Sequence, residues 1–330
     1  MKRIIKGILV FIVISSMVLT GCSNQSSSST EEKKVVVGIS QIIEHPSLDA
    51  SRQGFIDALK DLGYEEGKQV VFDYQNAQGN RDTLTTISQK FVNDKVDLIF
   101  AIATPSALSA AQQTDTIPIL ITAVTDPVVA GIVNSMDKPG TNVTGTTDMN
   151  PVKEQLELVT KVKPDAKKVG IIYNTGEPNS EVQVKMAQEV ASDLGLTIEL
   201  MGITNSAEVK QAADSLAAKV DAFYIPTDNT VVASIDSVLM VAENAKLPVI
   251  VGEGDSVKRG GLITYGLDYY KLGYQTGEMA VKVLKGEGNP AEMAIEKQKE
   301  MKLIVNTSAA KKMGVEIPKD LLDKADEVIE

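Results

Sequence analysis

Thr104, Pro105 and Ser106 stand directly after the run Asp97 to Ile102 and open a stretch with helical spacing. Proline suits the first position of a helix, where its missing N–H is no loss. The free N–H groups of such a first turn, its positive end and the two hydroxyls would seat a carboxylate. The same tripeptide also reads as plain N-capping by Thr104. Thr125 and Asp126 follow the next apolar run, where Asp126 suits either a ligand ammonium or a turn ahead of Pro127. Further on, Tyr224-Ile225 leads into Pro226-Thr-Asp228-Asn229-Thr230, and Asp228 can both cap a helix and touch a ligand. Glu253 sits in Gly252-Glu-Gly-Asp255 after another apolar run, and Asp268 and Tyr269 sit in Tyr265-Gly-Leu-Asp-Tyr-Tyr270. Acids in such flexible or hinge-like stretches are more often solvated than functional. Ser40 closes the first β-branched run, and His45 follows it just ahead of Pro46.

Several chemistries lack their residues. One His and one Cys in 330 residues cannot supply a His/Cys metal site, and a histidine-based triad finds no support. Neither a metal nor a cofactor is therefore expected. No G-x-G-x-x-G follows the first strand, and G-x-x-x-x-G-K-[ST] and G-x-S-x-G do not occur, so dinucleotide, P-loop and serine-hydrolase readings lose their physical basis. Paired acids are the remaining catalytic option, with glycoside hydrolysis as the reaction they could serve. A net charge of −11 without a Lys/Arg-rich block speaks against a nucleic-acid partner, because phosphate neutralisation needs a basic surface.

The elements that must position these residues alternate in type. Val35 to Ile39 reads as a strand, followed by a helix carrying Leu48, Phe55, Ile56, Leu59 and Leu62 at spacings of three and four, with Gly63 ending it. The spacing predicts strands at 69–74, 97–102 and 117–122, with helices near 82–93 and from Pro105. Pro139-Gly-Thr-Asn-Val-Thr-Gly145 reads as turn formers at an interdomain crossing. A second series follows with strands at 168–173, 196–201, 221–225 and 248–251, then 262–265, a helix through Leu272 and Met279, a strand at 302–305 and a final helix. Strands separated by helices predict an α/β fold with two doubly wound parallel sheets, each covered on both faces. In such sheets ligands lie beyond the carboxyl ends of the strands, which is where the polar junctions fall. A length of 330 residues suits about two such units.

The first residues read as an address. Lys2, Arg3 and Lys6 precede an uncharged stretch from Gly7 to Leu19, the pattern of a secretory signal over residues 1–21. Leu19-Thr-Gly-Cys22 resembles a bacterial lipobox, which implies a lipid on Cys22 as the mature first residue. Residues 22–34 are Ser-rich and almost without apolar side chains, and are expected to form a flexible tether.

Five stretches carry a wider resemblance: Ala103-Thr-Pro-Ser106, Thr122 to Ser135, Pro139 to Gly145, Tyr224 to Thr230, and Ile263 to Gly273. Through them the chain resembles the lipoprotein family of ABC-importer solute-binding proteins associated with tryptophan and tyrosine, which has the type I periplasmic-binding fold. The resemblance implies three hinge crossings, near 146–149, 266–268 and 300–303. Lobe one is then 35–147 plus 267–301, and lobe two 148–266 plus 302–330. It also implies a monomeric receptor on the outer face of the bacterial cell membrane, anchored through Cys22. The receptor would bind a free amino acid, aromatic in kind, by hinge closure and pass it to an ABC permease and its ATPase subunits. Thr104 and Ser106 would hold the carboxylate and Asp126 or Asp228 the ammonium, while His45, Tyr224 or Tyr269 would border the side chain. Nucleoside or sugar binding, and adhesion by a surface lipoprotein, are the alternatives; zero Trp and 4% aromatic residues count against a sugar platform.

Overall fold

A computed structural model describes residues 34–330; the expected signal at 1–21, Cys22 and the tether up to Lys33 lie outside the described residues. Five strands, β1 (Val35–Gln41), β2 (Val70–Asn76), β3 (Leu98–Ile102), β4 (Ile119–Val124) and β5 (Val143–Thr147), belong to one sheet. The next five, β6 (Lys168–Asn174), β7 (Thr197–Ile203), β8 (Ala222–Ile225), β9 (Val249–Val251) and β10 (Ile263–Gly266), belong to a second. The chain then returns to the first sheet for β11 (Glu296–Lys297) and to the second for β12 (Lys302–Asn306) and β13 (Glu327–Ile329). The orders are β11-β5-β4-β3-β1-β2 and β13-β12-β10-β9-β8-β6-β7. Each sheet is sandwiched by helices over its own apolar core, with Phe55, Phe91 and Phe100 in the first and Phe223, Ile171 and Val249 in the second.

The α/β architecture expected from the alternating runs is present, with three local departures. Val143-Thr144-Gly145 lies in β5, not in a turn, because the Asn142 amide ties the segment down by donating to the carbonyls of Thr114 and Ile117. Gly145 is required there: its φ is +137°, and a Cβ would stand 2.1 Å from the Ile121 carbonyl oxygen. The register between β4 and β5 shifts after Ile121, and Ala123 adopts a positive φ of 55° in that irregularity. The second departure is that β12 runs antiparallel to β10, since the chain crosses over from the first sheet and enters from the opposite end. The third is the C-terminal helix, which is split into Thr307–Met313 and Lys319–Lys324, with Gly314 in the left-handed region ending the first piece.

Two helices of the first unit approach to backbone contact. Pro46–Asp61 and Tyr269–Leu284 meet through Gly54, Gly273 and Gly277; a Cβ on Gly273 would stand 1.9 Å from the Ser51 carbonyl oxygen. The Ser51 hydroxyl donates to the Tyr269 carbonyl at 3.0 Å, which fixes the start of the second helix where the chain has just left β10.

Candidate functional site

Sheet order arranges two rows of residues at the carboxyl ends of the strands. In the first sheet, Asp148 follows β5, Ala123 lies in β4, Thr104 and Ser106 follow β3, and Ser40 and His45 lie at and beyond the end of β1. In the second, Glu253 follows β9, Thr227 to Asn229 follow β8, and Asn179 follows β6. Both rows contribute to one cavity, walled by His45, Leu48, Ala123 and Asp148 on one side and by Asn179, Thr227, Asp228, Asn229, Val232 and Glu253 on the other, with Tyr269 beside them. It is a narrow slot: the centre of a water molecule has about 10 Å³ to occupy. A ligand must therefore enter while the two rows are apart.

Three buried acids and no lysine or arginine line this slot. The Asp148 carboxylate accepts from the Tyr269 hydroxyl at 2.5 Å on Oδ2 and from the Thr125 hydroxyl at 3.2 Å on Oδ1, and burial raises its pKa above the usual range. Glu253 caps the helix Gly254–Lys258 by accepting from the Asp255 and Ser256 N–H groups at 2.6 and 3.0 Å. It also accepts from the Ser47 hydroxyl at 2.8 Å, a bond that joins the first row to the second. Burial raises its pKa as well. Asp228 is committed on both oxygens: Oδ1 accepts from Val231 N at 2.8 Å, and Oδ2 from Asn174 N and the Ser180 hydroxyl, each at 2.6 Å. Burial, then the neighbouring Glu177, hold Asp228 well above the usual carboxylate range. Glu177 in turn gathers the N–H and side chain of both Asn229 and Thr230, so the loop after β8 is braced by two acids.

Unpartnered hydroxyls are buried at the strand ends of the first sheet. The side-chain oxygens of Ser40, Thr104 and Ser106 are buried and have no hydrogen-bond partner among the described residues. Thr104 and Ser106 lie in the first turn of the helix Thr104–Gln113, which Ala103 enters at a φ of +75° with no side-chain cap. Plain N-capping by Thr104 thus does not occur, and the first turn keeps its donors. His45 Nδ1 and Asn179 Oδ1 are also buried without partners, and both residues wall the slot. Burial, reinforced by the charge of Arg259, lowers the pKa of His45 to about 3, so its imidazole is neutral at pH 7.

The residues singled out in the sequence divide accordingly. His45, Asp228, Asn229, Glu253 and Tyr269 wall the slot together. Ser40, Thr104 and Ser106 are buried along the same strand edge, and Thr125 supports Asp148 from behind. None of these four walls the slot, and three further residues lie apart from it. Asp126 accepts from the N–H groups of Val128 and Val129 at 3.0 and 2.9 Å and so closes a turn. Tyr224 is fully buried, its hydroxyl donating at 2.7 Å to Gln155, whose amide holds the carbonyls of Gly252 and Tyr265. Asp268 caps the helix Tyr269–Leu284 through Lys271 N and pairs with Lys302 at 3.3 Å. Asp148, Asn179, Thr227, Leu48, Ala123 and Val232 wall the slot without having been singled out. Asn179 follows the same strand-then-proline pattern as Thr104, in Asn174-Thr-Gly-Glu-Pro-Asn-Ser180, so a signal for it was present.

Residues 36–329 match the family model described as ABC transporter substrate binding protein. The chain belongs to that family. A tyrosine-binding protein of Clostridioides difficile (strain R20291) is 45% identical over 323 residues, covering 96% of this chain and 93% of the relative. Among solved structures, a Streptococcus pneumonia domain in complex with L-Trp is 34% identical with a TM-score of 0.87, covering 90% of this chain and 100% of that one. The ligand-free, open structure of a substrate-binding protein with adhesive properties from Clostridium difficile is 46% identical, yet its TM-score is 0.67 over 89% of this chain and 99% of that one. This substrate-binding protein thus superposes better on the less identical Trp complex than on the open protein. The Ser47–Glu253 bond joins the two rows across the slot. The fold is the type I periplasmic-binding fold, and ABC substrate-binding proteins work on the extracytoplasmic side.

Proposed function

We propose that this substrate-binding protein takes up a free aromatic amino acid between its lobes and delivers it to an ABC permease, held at the outer membrane face by a lipid on Cys22. The lobes that part and close are 35–147 with 267–301 and 148–266 with 302–330. The observation that carries the reading is a slot lined by three buried acids and no lysine or arginine, with the unbonded hydroxyls of Ser40, Thr104 and Ser106 buried at the strand ends of the first sheet. A zwitterion entering a closed cleft loses water at both charged ends and needs a partner for each. The first turn of Thr104–Gln113 offers N–H groups and the Thr104 and Ser106 hydroxyls to the carboxylate. For the ammonium, Asp148 takes the place of Asp126 and Asp228: its carboxylate lines the slot and accepts from the Tyr269 and Thr125 hydroxyls, and the four acceptor sites of a carboxylate leave room for an ammonium. A flat side chain suits a narrow slot flanked by Leu48, Ala123 and Val232, and the tyrosine-binding relative and the L-Trp complex support the aromatic class.

A thermal-unfolding screen against the common amino acids tests this directly. A true ligand at 100 times its Kd should add about 2.7 kcal/mol of stability. Tyr, Trp or Phe should give the largest rise in Tm. If none of the three shifts it while ribose or a nucleoside does, the amino-acid assignment fails.

A further inference from the structure

His45 and Leu48 sit one helical turn apart in the first lobe, and both face the slot; Asn229 and Val232 repeat the pattern from the second lobe. Each pair offers an apolar wall with a polar tip beside it. The polar tip in the first lobe is unusual: His45 Nδ1 is buried with no hydrogen-bond partner among the described residues, while the residue as a whole is 7% exposed. A neutral imidazole carries one donor and one acceptor nitrogen, so the free nitrogen can accept from a ligand. With the charged ends assigned as proposed above, the carboxylate to Thr104 and Ser106 and the ammonium to Asp148, the side chain is the part left to meet His45, which lines the slot.

Resting on the amino-acid reading above, the geometry points to His45 as the residue that reads the polar end of the ligand's ring. It favours amino acids whose ring carries an O–H or N–H, tyrosine and tryptophan, over phenylalanine. The neutral state of the ring at pH 7 is what lets it accept. A phenylalanine ring against His45 would leave that nitrogen buried and unbonded, and a site built to bond a ligand donor discriminates strongly against an analogue lacking it.

Titration calorimetry of the full-length chain with L-Tyr, L-Trp and L-Phe tests the assignment. The unaltered protein should bind Tyr and Trp at least ~10-fold more tightly than Phe. His45→Ala should bring the three within roughly threefold of one another, and His45→Gln, which restores an acceptor, should recover part of the preference. The ratio in the unaltered protein stands even if a variant unfolds, and thermal unfolding reports whether each variant is folded. Equal binding of all three by the unaltered protein, or a preference that survives His45→Ala, overturns the role of His45 while leaving the amino-acid reading intact. Failure of all three to bind overturns both.

Discussion

Thr104 and Ser106 hold hydroxyls that find no hydrogen-bond partner among the described residues, although both side chains are buried. Leaving a buried polar group unbonded costs about 1–3 kcal/mol, and an arriving carboxylate relieves that cost. Thr104→Ala and Ser106→Ala should therefore each weaken amino-acid binding by about 1–3 kcal/mol, with no loss in the Tm of the ligand-free protein. Titration calorimetry with unaltered affinity in both variants would move the carboxylate elsewhere. These two residues were legible because their signal is local: a strand, a proline and a helix start within a few positions. Asp148 was not, because it follows β5 (Val143–Thr147), whose first three residues belong to a stretch, Pro139 to Gly145, composed like a turn. That Asp228 commits both oxygens to the protein's own donors was also hidden. Its oxygens are taken by Asn174 and Ser180, 54 and 48 residues away in the chain, and no spacing rule reports such a pairing.

At the scale of elements, the helices Pro46–Asp61 and Tyr269–Leu284 set the position of His45, Ser47 and Tyr269 relative to one another. Their approach depends on glycines. Gly273→Ala should lower unfolding free energy by about 1–3 kcal/mol, even though alanine gains about 1 kcal/mol in helix propensity. The reason is that the new methyl meets backbone at Ser51, which cannot swing aside as a side chain could. Chemical denaturation followed by circular dichroism measures it; a midpoint equal to or above that of the unaltered chain would show that the helices can separate without cost. Most elements were legible from β-branched runs and spacings of three and four, since the central strands, such as β3, β4, β8 and β9, are buried on both faces and continuously or almost continuously apolar. The short strands β11 and β13 escaped because Glu296-Lys297 and Glu327-Val-Ile329 have neither length nor an apolar run, and pair only because tertiary contacts bring them to a sheet edge. The brace beneath the second row, Tyr224 to Gln155 to the Gly252 and Tyr265 carbonyls, joins elements that only the folded chain brings together.

For the molecule as a whole, closure is the functional event, since a slot this narrow admits a ligand only when the lobes part. Differential contact with the closed state is what a ligand must supply to shift such an equilibrium. In this chain the Ser47 to Glu253 bond already joins the two rows across the slot, and under the proposed reading the ligand would add contacts at Thr104, Ser106 and Asp148. The central claim is that the cleft recognises both charged ends of a free amino acid, and titration calorimetry of the full chain with L-tyrosine, tyramine and N-acetyl-L-tyrosine tests it most directly. Tyramine lacks the carboxylate, and the acetylated compound lacks the ammonium. Tyrosine should bind at one site per chain, and each analogue should lose at least about 2 kcal/mol of binding free energy, the scale of a hydrogen bond to a charged group. Binding of either analogue as tight as that of tyrosine would contradict recognition of a zwitterion.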